Sequence, residues 1–380
     1  MYISRLRLMN WKNFKAVDVP LGERMFIVGP NASGKSNLLD VFRFLKDIAR
    51  PDGGLQKAVM TRGGLAKIRN LSAGKNSQVE IEVGLADSKT QTNWLYELHL
   101  CHKKNGIDRF EISKERVVKN GRVILNRPDS KDKEDSIRLT QTSLEQVMAN
   151  KDFREISGHF SAIDYFHLVP QLIRYSHAFP GPGMEEDPFG QHFIERIAKT
   201  GEKTRQNRLK KIEAVLRIAV PQLINLKEKK DETGIPHLEV SSRHWRLPAE
   251  TQMEDQFSDG MLRLIGLLWT LMDAGTLLLL EEPELSLHDA ILDKLPSLMH
   301  RLKKKQGQVL VSTHSQTLLA DRGIGGEEIL MLIPGEVETS VQVAADLNDV
   351  RILLESGMIP AEVVIPKTAP ENIQQLGLIK

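Results

Sequence analysis

The sequence predicts an α/β fold built around a phosphate-binding loop, and three stretches support this prediction. Residues 29–36, with the sequence GPNASGKS, follow a short apolar strand at residues 25–28 and precede an amphipathic helix. An apolar strand at residues 277–282 ends in two glutamates, and another at residues 309–314 ends in a histidine. Buried strands that end in polar residues, together with a strand, a loop and a helix in that order, favour a P-loop architecture.

The loop has the pattern G-x-x-x-x-G-K-[ST], and apolar side chains from Leu38 to Leu45 recur at helical spacing behind it. Its glycines allow successive backbone N–H groups to face one anion, and the positive end of the helix dipole points to the same place. We expect Lys35 to reach the β and γ phosphates of a nucleoside triphosphate and Ser36 to ligate Mg²⁺. The alternative is a glycine-rich turn that binds nothing. The residues predicted to contact the nucleotide are Gly29, Pro30, Asn31, Ala32, Ser33, Gly34, Lys35, Ser36 and Asn37.

Size and composition indicate a globular chain without a strong overall charge. The 380 residues are 41% hydrophobic, and 52 Lys and Arg against 50 Asp and Glu leave a net charge of +2. No global field therefore favours nucleic acid or membrane, and any such contact must be local. Cys101 is the single cysteine, which excludes an internal disulfide framework and fits a reducing compartment. A strand position is favoured for it over a role as a nucleophile.

Neither a secretion signal nor a membrane span is predicted. Residues 1–7 are charged and alternating, without the continuous apolar core of a signal peptide. The longest apolar run, at residues 264–272, is far shorter than the roughly 18 residues that a membrane span needs. We therefore expect a soluble cytoplasmic protein without a membrane partner.

Apolar periodicity divides the first two thirds of the chain. Patterns of period two predict short strands over residues 3–28 and an antiparallel meander over residues 77–126. The dipeptides Asn105-Gly106 and Asn120-Gly121 predict two hairpin turns, because both residue types tolerate positive φ. The remaining predictions are an exposed, charged loop at 127–135, mixed helical structure at 140–175, a PGPG loop at 180–183, a helix at 193–220 and a last strand at 238–240.

The helix predicted at residues 193–220 carries a basic face. Its apolar residues share one side, whereas Arg205, Arg208, Lys210, Lys211 and Arg217 crowd elsewhere. A contact with DNA or RNA is one interpretation, and a solvated face balanced by nearby glutamates is favoured over it. No heptad pattern persists for three repeats, so we expect no long coiled-coil arm.

The last third of the chain carries three stretches with candidate chemistry. Ser258 and Gly260 open a predicted helix and offer an anion a hydroxyl, bare N–H groups and a dipole, although alone they indicate only a helix N-cap. Glu281 and Glu282 end a buried strand, where one acid is expected toward Mg²⁺ and the other toward water. Strand alternation points neighbouring side chains apart, so the two acids should have separate duties. A lone histidine at a strand end is more often structural, but its position after the two acids favours function for His314.

These elements, in this order, resemble the ABC-type ATPase superfamily, with a phosphate loop, a signature at residues 257–260 (FSDG), a Walker B strand and a switch histidine. The motifs EEPELSLH at residues 281–288 and STHS at residues 312–315 are most similar to those of the AAA_21 and AAA_15 group, which is related to RecF, SMC heads and OLD ATPases. The resemblance covers residues 1–50 and 250–335 and implies a P-loop NTPase of the ABC ATPase head type, with an inserted strand-rich and helical region.

The resemblance also implies roles for single residues. Glu281 takes the metal-side position beside Ser36, Glu282 is the catalytic carboxylate, and His314 senses the γ-phosphate. The signature residues Ser258, Asp259 and Gly260 contact the nucleotide bound to the other subunit.

Two departures from the family pattern concern the metal and the signalling between sites. Glu281 replaces the usual aspartate, which lengthens the link to Mg²⁺, and His288 stands where transporters carry the D-loop aspartate. A Q-loop glutamine is not distinguished among Gln56, Gln78 and Gln171.

Four segments follow from this assignment. They are an N-terminal lobe of the ATPase head at 1–84, an inserted β-meander and helical region at 85–245, a C-terminal lobe at 246–345 and a C-terminal tail at 346–380. The resemblance implies a homodimer or a higher oligomer, in which two heads enclose two ATP molecules and hydrolysis releases them. We expect the insert and the tail to transmit this switch to a partner.

The partner is expected to be a separate effector, such as a nuclease, in anti-phage defence or DNA maintenance. The segment after Thr313 contains Asp346, Asp349 and Glu355 but no D-x-D pattern, so no Toprim nuclease is expected within it. Alternatives are a transporter subunit, which the strand-rich insert disfavours, and a scaffold that binds ATP without hydrolysis. A signalling GTPase is discounted, because residues 150–153 carry Phe where the base-reading N-K-x-D motif needs Asp.

Overall fold

The computed structural model describes residues 1–74, 77–87, 91–103, 110–176, 187–242, 250–273, 275–302, 307–336 and 338–368. The predicted turn at Asn105-Gly106 and the predicted loop at residues 180–183 lie outside these residues.

The strands, in chain order, are β1 (Tyr2–Trp11), β2 (Phe14–Pro20), β3 (Arg24–Val28), β4 (Val79–Asp87), β5 (Thr92–His102), β6 (Phe110–Lys119), β7 (Arg122–Arg127), β8 (Ile163–Phe166), β9 (Leu223–Lys230), β10 (Pro236–Ser242), β11 (Glu250–Met253), β12 (Leu277–Glu281), β13 (Gln308–Thr313), β14 (Ile329–Pro334) and β15 (Thr339–Val343).

The helices are α1 (Lys35–Ala49), α2 (Leu55–Met60), α3 (Leu65–Ile68), α4 (Ser130–Glu134), α5 (Arg154–Ser161), α6 (Pro170–Arg174), α7 (Phe193–Lys199), α8 (Glu202–Ala219), α9 (Asp259–Asp273), α10 (Asp289–Leu292), α11 (Leu295–Leu302), α12 (Asn348–Glu355) and α13 (Pro360–Thr368). None of the helices in the described ranges is long and apolar enough to cross a membrane.

The chain forms two compact units. The first contains Met1–Asp164, Gly275–Leu279 and Gln306–Lys380, and the second contains Tyr165–Ala274 and Leu280–Lys305. The predicted division into four segments stays a prediction. β1 and β2 share one sheet with the strands of the meander.

One sheet of the first unit has the strand order β2-β1-β4-β5-β6-β7, and its pairs are antiparallel. It confirms the strands predicted at the N-terminus and the predicted meander. The turn at Asn120-Gly121 is also confirmed, with φ of 47° and 79° at its two residues. Cys101 lies in β5 as predicted, and burial raises the pKa of its thiol, which disfavours the nucleophilic thiolate.

A second sheet has the order β15-β14-β3-β13-β12-β8 and contains the strand that leads into the phosphate loop. β3 pairs in parallel with β13 and β14, and its Val28 lies opposite Thr313. The next residues along the two strands, Gly29 and His314, therefore leave the sheet at the same edge. This edge is where parallel strands of α/β folds usually carry their ligand sites.

The second unit contains a small antiparallel sheet with the order β11-β10-β9. The strand predicted at residues 238–240 is confirmed as part of β10, whereas β9 and β11 were not predicted. The helix predicted at residues 193–220 is interrupted, because Thr200 and Gly201 adopt extended ψ angles of 136° and separate α7 from α8. Both residue types have low helix propensity, which explains the break.

The exposure predicted for residues 127–135 is confirmed for most of them, but the prediction is wrong for Arg127 and Asp132, which are buried, and a short helix replaces part of the loop. The Arg127 guanidinium is buried and donates hydrogen bonds to Glu115 at 2.9 Å and to Asp132 at 2.9 and 3.0 Å. α4 lies here and begins with a capping box formed by Asp129 and Asp132. Burial raises the pKa of the Asp132 carboxyl, but the hydrogen bonds from Arg127 and from the Asp129 N–H, together with the positive charges of Arg127 and Arg138, outweigh burial and hold this pKa well below its usual range.

Replacing Arg127 by leucine is expected to lower the free energy of unfolding by about 3–5 kcal/mol, because it leaves two buried carboxylates without their cation. Denaturant unfolding followed by circular dichroism measures the change. The control is Arg5→Leu, which removes an exposed ion pair with Asp18 and should change stability by about 1 kcal/mol or less. Equal effects of the two substitutions would contradict a structural role for the Arg127 cluster.

Candidate nucleotide site

The phosphate loop is closed on itself around a buried lysine. Lys35 is 7% exposed, and its ammonium donates to the carbonyl oxygens of Gly29 at 2.9 Å and Pro30 at 3.1 Å. α1 begins at Lys35 after Gly34, which has φ of 99° and is possible without strain only for glycine. No side chain caps α1, so its N-terminal end presents backbone N–H groups and the positive pole of its dipole.

The loop has the shape and the polar groups that a polyphosphate requires. A Cβ atom at Gly29 would lie 2.5 Å from the Ser33 hydroxyl, and one at Gly34 would lie 2.2 Å from the Asn13 amide, so neither position accepts a side chain. The hydroxyl oxygen of Ser33 is buried and has no hydrogen-bond partner in the described part of the chain. A buried polar group without a partner is unfavourable unless a ligand supplies one. The residues present therefore fit an anion with several acceptor oxygens.

Asn13 supports the loop from outside, a role that no sequence pattern predicted. Its amide nitrogen donates to the Ser33 carbonyl at 2.9 Å and to the Thr339 hydroxyl at 3.0 Å, and its amide oxygen accepts from Asn37 at 2.8 Å. The neighbouring Trp11 indole N–H donates to the Asn37 carbonyl at 2.9 Å. The turn between β1 and β2 thereby fixes both ends of the segment that contains Gly34 and Lys35. Only a turn-forming asparagine was visible in the sequence.

Replacing Asn13 by alanine is expected to weaken nucleotide binding about five- to tenfold, because the loop loses its external support while Lys35 remains. Titration with a fluorescent ATP analogue measures the affinity, and thermal unfolding measures stability in parallel. The control is Asn10→Ala, which removes an amide hydrogen bond to the Gln78 carbonyl in the same hairpin. If both variants lost nucleotide affinity in the same proportion to their loss of stability, the result would contradict a positioning role for Asn13.

His314 lies at the end of β13, beside the start of the loop in the strand register, and its side chain is exposed. The following turn is organised by local hydrogen bonds, from Ser315 N–H to the Thr313 hydroxyl at 3.0 Å and from Leu318 N–H to the Ser315 hydroxyl at 3.2 Å. The first unit therefore brings together the loop residues and His314 at one sheet edge.

In the second unit, Glu281 ends β12 and is held by two residues for which no sequence pattern predicted a role. The Tyr165 hydroxyl donates to the Glu281 carboxylate, and His167 Nδ1 lies 3.2 Å from the Glu281 carbonyl oxygen. Both partners lie in or just after β8, a strand that was not predicted. Tyr165 restricts the orientation of the carboxylate that was predicted to face the metal, and His167 contacts the backbone of the same residue.

Glu282 departs from the strand geometry on which the prediction of separate duties rested. It lies just past β12 in the left-handed region with φ of 44°, so strand alternation does not determine its direction. Its carbonyl oxygen accepts from Leu285 N–H at 3.3 Å, which closes a tight turn. A left-handed conformation costs a non-glycine residue about 1–3 kcal/mol and recurs at functional sites. The turn, rather than the pleat, separates the two acids.

The signature forms the N-terminus of α9, as predicted. The Ser258 hydroxyl accepts from Met261 N–H at 3.2 Å, the N-cap interaction that the sequence indicates. Asp259 accepts from Arg174 at 2.6 Å and from Gln171 at 3.0 Å. A Cβ atom at Gly260 would lie 2.7 Å from the Ser286 carbonyl oxygen, so glycine is needed where the signature meets the turn after Glu282.

His288 and the candidate Q-loop glutamines have local structural partners. His288 is the N-cap of α10, and its Nδ1 accepts from Ala290 N–H at 3.1 Å, an N-cap role that aspartate fills elsewhere. Gln171 contacts the signature, Gln56 donates to the Thr140 carbonyl at 2.9 Å, and the Gln78 carbonyl accepts from Asn10.

A match to a protein-family model shows which family contains this chain. The AAA_21 family, described as "AAA domain, putative AbiEii toxin, Type IV TA system", matches residues 24–320. The chain belongs to this family. Among curated proteins, none matches the AAA_21 chain.

Solved SMC head domains share the fold of this AAA_21 ATPase. An SMC head bound to the C-winged helix domain of ScpA has a TM-score of 0.53 and 15% identity, and covers 90% of this chain and 97% of its own. A Pyrococcus furiosus Smc head with an extended coiled coil, bound to the C-terminal domain of ScpA, has a TM-score of 0.50 at 15% identity and covers 94% and 100%. A Pyrococcus yayanosii Smc head with a coiled coil and joint has a TM-score of 0.50 at 12% identity and covers 93% and 99%. The predicted P-loop NTPase fold of the ABC ATPase head type is thus confirmed.

Proposed function

We propose that this AAA_21 ATPase binds and hydrolyses ATP with Mg²⁺, that two copies share each site, and that their closure controls a separate effector. The observation that carries the proposal is the phosphate loop, with its buried Lys35, its two obligatory glycines and the Ser33 hydroxyl that lacks a partner. Such a loop binds the phosphates of a nucleoside triphosphate through backbone N–H groups and the lysine.

Each remaining site residue has a proposed task. Lys35 binds the β and γ phosphates, Glu282 takes the proton of the attacking water, and His314 senses the γ-phosphate. Ser36 and Glu281 would hold Mg²⁺, which takes oxygen ligands and, when bound, offsets the negative charge of the phosphates. The Tyr165 hydrogen bond keeps the Glu281 carboxylate in one orientation. The left-handed turn at Glu282 aims a second carboxylate independently of the first.

A pair of heads is proposed because the signature is accessible at the start of α9. Ser258 is exposed there, and Gly260 is half-buried. We propose that Ser258, Asp259 and Gly260 contact the nucleotide held by the Lys35 of a second copy, in a homodimer or a higher oligomer. ATP would stabilise the closed pair through γ-phosphate contacts that ADP lacks.

The effector is proposed to be a separate protein, such as a nuclease in anti-phage defence or DNA maintenance. Two of the SMC head neighbours were solved bound to parts of ScpA, which supports the idea that a head of this fold carries a protein partner. In the tail, Val363 and Val364 are buried, whereas Ile352 on α12 is 54% exposed. DNA or RNA stays open as a further partner, because Lys210, Lys211 and Arg217 are exposed whereas Arg205 and Arg208 form ion pairs within the unit.

Phosphate release by the purified chain, with Mg²⁺ and with or without duplex DNA, tests the proposal. We expect ATP turnover whose specific activity rises with protein concentration, because each site needs two copies. Turnover that is independent of concentration would contradict the shared site. Binding without turnover would favour the alternative of a non-hydrolysing scaffold, and co-purification with a membrane protein would favour a transporter subunit.

A further inference from the structure

A groove of about 890 Å³ lies within the second unit, and the signature residues Ser258, Asp259 and Gly260 form one edge of it. Its walls are the C-terminal turn of α8, the first turn of α9 and the helices α10 and α11. The lining is mostly apolar, and it includes Ile218, Met261, Ile291 and Leu298. Four helical segments around an apolar floor match the geometry in which an amphipathic helix binds.

One large apolar side chain of the groove is open to solvent. Ile218 is 83% exposed, whereas Leu209, Ile212 and Leu216 on the same helix are buried in the unit. Ala219 and Ala290, two small residues of the lining, are also exposed. Small residues between larger apolar ones allow the backbone of a bound helix to approach closely. Ile218 would then provide an anchoring contact that the unit itself does not use.

The charged groups in the lining indicate which charge a bound ligand should carry. They are Asp259, Lys294 and Arg301. Asp259 is held by Arg174 and Gln171, and Lys294 pairs with the adjacent Asp293 at 2.6 Å. Arg301 forms no hydrogen bond or ion pair with the residues that the structure describes. The charge left for a ligand is therefore positive, and it calls for a carboxylate.

We propose that this groove binds an amphipathic helix of a partner protein, with apolar anchors over Ile218 and Met261 and a carboxylate paired with Arg301. The binding step is independent of ATP chemistry. The consequence rests on the proposed function: since Gly260 and Ser286 also line the groove and contact each other, a bound helix touches the signature of the head. Occupancy would then alter closure of the two heads, which makes the groove a control point for the effector.

Selection of a displayed library of helical peptides on the full chain without nucleotide tests the groove. We expect enriched peptides with apolar residues at i, i+3, i+4 and i+7 and at least one Asp or Glu. Fluorescence anisotropy with the best peptide should show at least about tenfold weaker binding to Ala219→Trp, which fills the groove, and to Arg301→Glu. Changing the peptide carboxylate to lysine should restore binding to Arg301→Glu. The control is Met148→Glu, which alters an apolar residue of the first unit that is 91% exposed and should bind as the wild type does.

Several results would overturn the inference. These are no enriched peptides, enriched peptides that bind all variants equally, or a preference for basic peptides. Loss of self-association in Ala219→Trp without nucleotide would assign the groove to a second copy, which also overturns it. The two proposals can be contradicted separately. Peptide binding without ATP turnover would contradict the proposed ATPase switch and support the groove as a binding site. ATP turnover without peptide binding would support the ATPase and contradict the groove as a binding site.

Discussion

Replacing Lys35 by alanine is expected to weaken ATP binding roughly 100-fold and to abolish turnover. The side chain is buried and donates to two carbonyl oxygens of its own loop, so its ammonium is already held where phosphate oxygens would replace those acceptors. Charge-assisted hydrogen bonds contribute about 1.5–3 kcal/mol each, which accounts for an effect of this size. Isothermal titration with ATP and Mg²⁺ measures the affinity.

The control for this substitution is Lys15→Ala, which removes an exposed lysine from β2 of the same unit. It should leave affinity unchanged within about twofold. If Lys35→Ala bound ATP like the control, the loop would be a turn without a ligand and the proposed site would be lost. Circular dichroism of both variants shows whether the loop variant remains folded.

Replacing Glu282 by glutamine is expected to reduce ATP turnover by about 10²–10⁴, which is the usual contribution of a positioned general base. Glutamine keeps the shape of the side chain and its ability to accept a hydrogen bond, but it takes no proton at neutral pH. Binding of ATP should therefore persist while hydrolysis stops. The closed, nucleotide-bound pair of chains should accumulate and appear as an ATP-dependent dimer in light scattering.

Asp293→Asn is the matched control for Glu282→Gln, since it neutralises another carboxylate of the second unit that is 44% exposed and pairs with Lys294. It should retain turnover close to that of the wild type. Normal turnover in Glu282→Gln would refute its assignment as the base. Lost turnover together with lost ATP binding would also count against it, because a base is needed for hydrolysis and not for binding.

Local sequence patterns predicted much of the fold. The strand, loop and helix around Lys35, the meander at residues 77–126 and the N-cap at Ser258 all depend on interactions between residues close in sequence. The family resemblance, carried by the loop, the signature and residues 277–288, then placed these pieces in one architecture that the family match and the SMC heads confirm.

Features that depend on contacts between distant residues were not predictable in this way. Asn13 supports the loop across 20 residues of sequence, and Tyr165 holds Glu281 across 116. Arg127 was assigned to a solvated charge run because a charged composition usually indicates exposure, but its partner Glu115 comes from β6. Such long-range pairings leave no periodic signal in a single sequence.

The left-handed turn at Glu282 is a further limit of pattern analysis. A pleated strand predicts side chains that alternate, but β12 ends one residue earlier, at Glu281. Glu282 adopts a positive φ that is unfavourable for any residue other than glycine. Deviations of this kind concentrate at functional sites, where local preference is overridden.

Mixing two inactive variants tests the shared site most directly. Lys35→Ala lacks the lysine of the loop, and Ser258→Arg blocks the signature, so neither chain should hydrolyse ATP alone. In an equal mixture half of the dimers are mixed, and each carries one intact pair of Lys35 and Ser258, so turnover should recover to about one quarter of the wild-type value. No recovery, or full activity of Ser258→Arg alone, would show that the heads do not complete each other's sites.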